Sequence, residues 1–231
     1  MYEGFIQFIK KEQLFGNQDS ILIAISGGID SVVMAHLFAQ SSYQFGVVHC
    51  HFGLREEANE EAVFVENLAK KFQVPFYFKK FDTLSYAKKH KMSIQMAARE
   101  LRYNFFEEIR EQHQYQYIAT AHHLNDSLET ALYNLSKGTG IAGLRGIVSK
   151  RDKIIRPLLF ASRRQIEDFA HQNDILWMED VSNASDKYAR NAIRHHVIPA
   201  LETFNSNLLH TFSETMMRLQ SVETVSYTHL T

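Results

Sequence analysis

Short apolar runs alternate along the chain with longer stretches in which apolar residues recur every three or four positions. The runs cover residues 21–25, 44–50, 75–81 and 115–121, and each has the length of a buried β-strand. The stretches between them have the spacing of amphipathic helices. Strands that alternate with helices require crossover connections, which predicts an α/β fold with a doubly wound parallel sheet.

Beyond residue 135 the pattern changes. Residues 136–146 are rich in glycine and are predicted to form a loop, and a helix is expected to begin near Ser162 after a short strand. The stretch 180–201 is polar at first and then helical as far as Pro199. From Asn205 the pattern predicts a further helix that is cut short, so the fold is expected to end in a helical extension.

Small polar residues occupy the junction between the first apolar run and the helix that follows it. The six residues are Ser26, Gly27, Gly28, Ile29, Asp30 and Ser31. Such residues allow several backbone N–H groups to point at one anion, so a phosphate site is one interpretation and a tight turn is the other. Asp30 would repel phosphate unless a divalent metal ion lies between them. The junction lacks the lysine and the spacing of a Walker A motif.

A second polar cluster follows the fourth apolar run. If a helix begins near Leu124, Asp126 lies in its first turn beside His122 and His123, and Glu129 lies on the same face. These groups can bind a metal, neutralise phosphate or transfer protons, whereas one of the two histidines is expected to be a buried structural residue. Zinc bound by these histidines and by those of the triplet HCH is a further alternative.

Positive charges are concentrated in two places. Arg99 and Arg102 lie three positions apart on one predicted helix, where they either cover the core with their stems or direct guanidinium groups at phosphate. A denser group is either a solvated face or a phosphate-binding surface. This second group comprises Lys137, Arg145, Lys150, Arg151, Lys153, Arg156, Arg163 and Arg164.

Composition narrows the class of protein. The 231 residues, 45% of them hydrophobic, suffice for one sizeable core with a small annex, and the net charge of −1 does not indicate a nucleic-acid partner. The single cysteine, Cys50, excludes a disulfide scaffold. No signal peptide or membrane span is recognisable, so we expect a cytoplasmic protein without membrane contact.

The small-residue loop resembles the pyrophosphatase loop, or PP-loop, of the N-type ATP pyrophosphatases, which cleave ATP between the α- and β-phosphates and adenylate a substrate oxygen. That resemblance implies an adenine nucleotide α-hydrolase-like, Rossmann-like fold. A longer series of motifs is similar to the tRNA(Ile)-lysidine synthetase family: SGGIDS, HCHFGLR, AARELRY, TAHHLNDSLET, KGTGIAGLRG, IIRPLL, WMEDVSN and YARNAIRHHVIPAL. Two features depart from the family pattern, since HCHFGLR is looser than the usual His-x-Asn-His form and Lys137 stands where an arginine is common.

The lysidine synthetase resemblance implies an AMP-forming ligase that uses ATP and Mg²⁺. ATP adenylates the C2 oxygen of the wobble cytidine in an isoleucine tRNA with a CAU anticodon, and pyrophosphate is released. The amine of free L-lysine then displaces AMP and forms lysidine. A cytosine C2 oxygen leaves poorly until it is adenylated, so the reaction needs charge neutralisation and alignment.

The same resemblance implies roles for particular residues. Residues 26–31 would hold ATP, and Asp30 with Asp126 would bind Mg²⁺. His122 and Arg102 would steady the phosphates or the adenylate.

Glu129 and Arg190 are implied to contact the ammonium and the carboxylate of lysine, and the dense basic group to face RNA.

Two alternatives stay open. A tRNA thiolase of the same superfamily would need cysteine pairs or an iron–sulfur cluster, for which one cysteine is too few. A nucleotide-binding module without turnover is opposed by the acidic and histidine residues already named. The sequence leaves the oligomeric state open, with a homodimer as one possibility.

The resemblance also implies a division of the chain. Residues 1–200 form the PP-loop ATP-binding catalytic domain, of which 135–200 carry the glycine-rich loop and the substrate-facing part. Residues 201–224 begin a helical linker or second domain. Residues 225–231 abandon the helical pattern and resemble a translated sequencing adapter, so we predict that they are not native and that the chain is the truncated catalytic part of a longer protein.

Overall fold

A computed structural model describes residues 1–55, 57–179 and 189–228 of the chain. In this part of the chain six strands form one sheet, and in chain order they are β1 (Ser20–Ala24), β2 (Gln44–His51), β3 (Phe76–Lys80), β4 (Tyr117–Ala119), β5 (Lys150–Arg151) and β6 (Ile154–Ile155). Across the sheet the order is β3-β2-β1-β4-β6-β5. Neighbouring strands are parallel except β5 and β6, which form an antiparallel hairpin at one edge.

Helices connect the strands and cover both faces of the sheet. They are α1 (Tyr2–Lys11), α2 (Ile29–Ala39), α3 (Ala58–Phe72), α4 (Thr83–His90), α5 (Ile94–Gln112), α6 (Leu124–Lys137), α7 (Ile141–Leu144), α8 (Arg163–Gln172), α9 (Ala189–Ala192), α10 (Ile198–Phe204) and α11 (Leu208–Thr228). A π-helical turn over Ile193–Val197 joins α9 to α10. Helix α6 begins at the predicted residue, and Ser162 caps α8 by accepting a hydrogen bond from the N–H of Gln165.

Strand β1 lies inside the sheet and is buried on both faces. Ile21 and Ile23 pack in one core that includes Val33 of α2, whereas Leu22 packs in a second core with Phe105 of α5. A parallel strand that is covered on both sides has to be apolar throughout, which explains the uninterrupted run of apolar residues. The predicted doubly wound sheet is confirmed by this arrangement.

Several elements differ from the expectations. Helices α1 and α4 lie outside the predicted elements, and the glycine-rich segment is not wholly a loop, because α6 extends to Lys137 and α7 forms one turn within it. The helix that was expected to end at Pro199 continues as α10. A proline in the first turn of a helix leaves no backbone hydrogen bond unmade, so the chain can pass through it.

The end of the chain is helical further than the pattern indicated. Helix α11 includes the backbone of residues 225–228, and residues 229–231 lie outside the described part. The non-native origin of this tail stays a prediction, as do the domain boundaries. None of the described helices combines the length and the apolar character that a membrane span requires.

Candidate active site

A cavity of about 730 Å³ opens at the carboxyl ends of β1, β2 and β4. This is the edge at which ligands bind in parallel α/β sheets. The three polar segments that follow these strands all contribute to its wall, including Ser26–Ser31 except Gly27. Helix α5 contributes Arg102, Tyr103 and Phe106, and helix α8 contributes Arg163 and Glu167.

The loop before α2 is held in shape by its own hydrogen bonds. The Ser31 hydroxyl donates to the carbonyl of Gly28 at 2.9 Å and accepts the N–H of Ser26 at 3.2 Å. Gly27 has φ of +100°, a conformation that favours glycine, and its carbonyl accepts the N–H of Met178 at 3.0 Å. No side chain of the described residues caps the start of α2, and the first residues of this helix line the cavity. Their backbone N–H groups are therefore available to an anion.

Asp30 lies in the first turn of α2 with one carboxylate oxygen paired and the other not. Oδ2 accepts a hydrogen bond from Arg163 Nη1 at 2.8 Å. Oδ1 is buried and has no hydrogen-bond partner among the described residues. Burial raises the pKa of this carboxyl, although His123 and Arg163 act in the opposite direction. An oxygen in this state is suited to a cation that the protein itself does not supply.

His123 lies between two carboxylates. Its Nε2 is 3.7 Å from Asp30 Oδ1 and 3.6 Å from Asp126 Oδ2. Asp126 Oδ2 also accepts the backbone N–H of His123 at 3.0 Å, which caps α6. The two aspartates fit Mg²⁺, which takes one or two carboxylates together with phosphate oxygens and water. The described residues contain no group of three or more histidine, cysteine or acidic side chains arranged to hold a metal.

The neighbouring His122 has a different environment. It lines the cavity, and its Nδ1 lies 3.0 Å from the Thr120 hydroxyl. His123 is buried and does not line the cavity. Of the two adjacent histidines, one therefore faces the cavity and the other lies between the two aspartates.

Glu129 is buried one turn beyond Asp126, away from the cavity wall. Both its oxygens accept hydrogen bonds from Arg194, from Nε at 2.6 Å and from Nη2 at 3.0 Å. The same guanidinium is 3.6 Å from Asp126 Oδ1. The backbone of Arg190 lies in α9, but its side chain is outside the described residues, so its expected contact with lysine is untested.

Arg102 and Arg99 separate at the surface of α5. Arg102 lines the cavity with its guanidinium 5.2 Å from the centre of the Phe52 ring. Arg99 lies outside the cavity wall, 4.8 Å from the centre of the Tyr103 ring. Arg102 therefore lines the cavity, whereas Arg99 does not.

The domain that contains this cavity matches a known family, because the profile of the PP-loop domain covers residues 3–201. The chain belongs to the PP-loop family. Among curated relatives, tRNA(Ile)-lysidine synthase of Bacteroides thetaiotaomicron is 41% identical over 95% of this chain and 52% of its own length. The synthase of Thermosipho africanus is 43% identical over 89% and 49%, and that of Petrotoga mobilis 36% over 94% and 70%. The resemblance to the lysidine synthetase family is thereby confirmed. The chain spans about half the length of the first two relatives.

Solved structures share the PP-loop fold at low identity. The U34-tRNA thiolase NcsA of Methanococcus maripaludis, solved with its [4Fe-4S] cluster, superposes with a TM-score of 0.76 at 16% identity, over 94% of this chain and 77% of that one. An NH3-dependent NAD synthetase of Campylobacter jejuni reaches 0.52 at 13% identity, over 94% and 92%. These likenesses show the fold alone, and the Rossmann-like prediction is confirmed by them.

The triplet His49, Cys50 and His51 lies at the end of β2, and its three side chains have separate surroundings. Burial raises the pKa of the Cys50 thiol to about 12, so it is protonated at neutral pH. His49 Nδ1 lies 2.7 Å from the Ile25 carbonyl, and burial lowers the pKa of the ring. His51 uses one ring nitrogen toward Asn59 at 3.1 Å and the other toward the N–H of Gly53 at 3.0 Å.

Three members of the dense basic group have partners within the protein, and the RNA-facing role of the group stays a prediction. Lys150 Nζ donates to the carbonyl of Leu14 at 2.8 Å and to the Tyr117 hydroxyl at 3.1 Å. Arg156 is partly buried and donates to the Val148 carbonyl at 2.7 Å. Arg163 donates a hydrogen bond to Asp30 of the PP-loop. These three cations satisfy internal groups that a pattern of charges along the chain does not reveal.

Of two arginines of the site, Arg194 had no role assigned from the sequence, and Arg163 was assigned only as a member of the dense basic group. Arg163 contacts an aspartate 133 positions earlier, and Arg194 a glutamate 65 positions earlier. The only local signal for Arg163 was its place after the capping residue Ser162. Partners so far apart in sequence are brought together by the sheet and not by any motif.

Proposed function

We propose that the chain carries the catalytic domain of an ATP-dependent ligase that joins lysine to C2 of the wobble cytidine in an isoleucine tRNA with a CAU anticodon. The reaction passes through an adenylated tRNA and yields lysidine, AMP and pyrophosphate. The observation that carries this proposal is the 41% identity with a tRNA(Ile)-lysidine synthase over 95% of the chain. The reaction takes place in the cytoplasm, where the tRNA, ATP and lysine are available.

The PP-loop binds the triphosphate of ATP in this proposal. The unpaired N–H groups at the start of α2 and the hydroxyls of Ser26 and Ser31 donate to phosphate oxygens. His122 and Arg102 line the same cavity and stabilise the charge that develops as pyrophosphate leaves. No lysine is required, because the bond broken lies between the α- and β-phosphates and no γ-phosphoryl group is transferred.

Magnesium fits the pair of aspartates. Asp30 and Asp126 would hold the ion, which would neutralise charge on the triphosphate. Arg163 provides a positive charge beside Asp30 in its absence.

Glu129 and Arg190 are the proposed contacts for the ammonium and the carboxylate of lysine. Because Arg194 already binds both oxygens of Glu129, an ammonium would have to share this carboxylate with the guanidinium. Carboxylates have about four lone-pair positions, so sharing is compatible with their geometry.

The test is transfer of labelled lysine from solution to an isoleucine tRNA transcript with a CAU anticodon. We expect ATP-dependent incorporation, with none into a UAU transcript. Release of pyrophosphate in the presence of the CAU transcript, measured separately, reports the adenylation step. Absence of both reactions contradicts the proposal.

The same pair of assays separates the alternatives. A nucleotide-binding module binds Mg·ATP but releases no pyrophosphate with any transcript. A thiolase releases pyrophosphate or AMP without incorporating lysine. Its cysteine chemistry has no basis in a chain with one cysteine of raised pKa.

A further inference from the structure

Three arginines lie on the same side of the sheet as Tyr103, a residue of the cavity wall, and we call them the arginine cluster. Arg99 belongs to α5, Arg151 to β5, and Arg156 directly follows β6. The hairpin of β5 and β6 fixes Arg151 opposite Ile154, two positions before Arg156. Ile155 packs in the core that contains Val33, so Ile154 and Arg156 point to the opposite face of the sheet, and Arg151, which pairs with Ile154, shares that face. Burial lowers the pKa of Arg156, and the charges of Arg151 and Arg99 act in the same direction.

The positive charge of the arginine cluster is not balanced within the described part of the protein. No described carboxylate lies within 4.0 Å of any of the three guanidinium groups. The arginines elsewhere that pair with acids include Arg163 and Arg194. Arg156 Nε is also buried without a hydrogen-bond partner among the described residues. Like charges that gather without a counter-ion destabilise the folded protein, so an anionic ligand suits the exposed guanidinium groups of the cluster.

The cluster lies outside the cavity but is connected to it. None of its three members lines the cavity wall, whereas Tyr103 does. The Arg99 guanidinium rests on the ring of Tyr103, and the phenol of Tyr103 acts electrostatically on Arg156. A ligand that reaches the cluster while it occupies the cavity must therefore extend past Tyr103 and out of the mouth.

An RNA strand has this shape and charge. The proposed function assigns the phosphates of ATP to the PP-loop, so the arginine cluster is left for another anion. An RNA nucleotide whose base is turned out of its loop places the base in a pocket lined by aromatic side chains and keeps its phosphates outside. Arginine guanidinium groups bind phosphodiester oxygens through paired hydrogen bonds.

We propose that Arg99, Arg151 and Arg156 bind the phosphodiester backbone of the RNA next to the nucleotide that enters the cavity past Tyr103. This inference rests on the proposed function for the kind of RNA. Two members of the dense basic group, Arg151 and Arg156, belong to this site, and Arg99 of α5 is the third.

The experiment measures binding of a fluorescent RNA stem-loop with a CAU loop to the full chain by anisotropy, between about 50 and 200 mM salt. The variants are Arg99→Gln and Arg151→Gln, whose side chains are exposed, together with Arg156→Gln and the conservative Arg156→Lys. Lys70→Gln is the matched control, since it removes one exposed charge at the end of α3 that leads away from the cavity. The dissociation constant for Mg·ATP is measured on every variant.

We expect Arg99→Gln and Arg151→Gln each to weaken RNA binding several-fold and to reduce the slope of log affinity against log salt by about 1. Arg156→Lys should retain more affinity than Arg156→Gln, and Lys70→Gln should match the parent. Affinity for Mg·ATP should not change. RNA affinities of Arg99→Gln and Arg151→Gln equal to that of Lys70→Gln overturn the proposal, as does an equal loss of Mg·ATP affinity, which would assign the cluster to the nucleotide.

A parent chain that does not bind the stem-loop at the lowest salt also overturns the proposal. Failure of the proposed function has a different signature. Cluster-dependent RNA binding without lysine incorporation or pyrophosphate release leaves the RNA site intact and contradicts the ligase.

Discussion

Two carboxylates on neighbouring helices, Asp30 of α2 and Glu129 of α6, differ in how completely the protein satisfies them. Glu129 is buried and receives two short hydrogen bonds from one guanidinium, that of Arg194. Asp30 receives one from Arg163, and its other oxygen is buried without a partner among the described residues. Asp126 lies between the two, near both Arg194 and His123.

In the ligand-free protein, hydrogen bonds from Arg194 satisfy both oxygens of Glu129, whereas one oxygen of Asp30 is left for a ligand. A buried acid with a full set of donors holds elements together, here α6 and the π-helical turn that carries Arg194. A buried oxygen without a donor destabilises the protein, and is retained only where something else completes it. Both acids were assigned to the site from the sequence, but their partners give them different roles in the ligand-free protein.

The largest effect is expected for Asp30→Asn. Loss of the carboxylate removes the proposed magnesium ligand, and pyrophosphate release should fall by about a thousandfold. Because burial raises the pKa of Asp30, the charged form is disfavoured in the folded state, so the neutral amide should leave the melting temperature unchanged or higher. Calorimetry on the same preparation provides the control. Activity close to that of the parent contradicts the metal role.

Glu129→Gln should show the opposite profile. It breaks the double hydrogen bond to Arg194, and the free energy of unfolding in urea should fall by about 2 kcal/mol. Glu108→Gln is the matched control, since Glu108 is exposed and pairs with Lys79, and its change should stay below about 0.5 kcal/mol. If Glu129→Gln keeps full stability and only raises KM for lysine, Glu129 is a substrate contact and not a structural acid.

Arg163→Gln tests how much the hydrogen bond from Arg163 to Asp30 matters. The change removes a positive charge from the cavity wall, and affinity for Mg·ATP should fall about tenfold, or about 1.4 kcal/mol. The neighbouring Arg164→Gln removes an equal charge from a side chain that is 91% exposed. Equal affinities in the two variants, measured by titration calorimetry, show that Arg163 only balances Asp30 and does not contact the nucleotide.

The smallest effect concerns His36 and His49, whose pKa values burial lowers from 6.5. Both rings are neutral in the folded state and become protonated more readily in the unfolded chain. Their contribution to stability is therefore complete above pH 6.5 and is lost as the pH falls below it, by at most about 1.4 kcal/mol per pH unit for each ring. Urea unfolding between about pH 7.5 and 5.5 measures the slope.

His36→Gln should reduce that pH dependence, whereas His210→Gln, which changes an exposed ring, should not. An unaltered slope in His36→Gln means that other groups control the acid response.

Local patterns were reliable wherever one element could be read from its own residues. The start of α6 at Leu124 and the cap at Ser162 follow from capping chemistry within four residues. The apolar run of β1 predicted a buried strand, and these residues are buried inside the sheet. The end of the helix at Pro199 was wrong, because a proline marks a break only where a preceding turn needs its N–H.

The site was predictable as a set of segments and not as a set of contacts. The motifs at residues 26–31 and 120–130 both follow strand ends, so a parallel sheet has to bring them to one edge. Which of His122 and His123 faces the cavity depends on how the chain turns into α6, and the pattern HH does not encode that choice.

The sequence by itself determined most of the order of strands and helices and the presence of a small-residue loop that carries an aspartate and no lysine, and its motifs carried the resemblance to the family. The order of the elements follows from short-range rules of periodicity, small-residue turns and helix starts. Only the tertiary structure decided that Arg163 pairs with Asp30, that Arg194 pairs with Glu129 and that three arginines without an acidic partner among the described residues lie near Tyr103. The reason is physical, since burial and pairing depend on distances between residues that the chain separates by tens of positions and the sheet brings together.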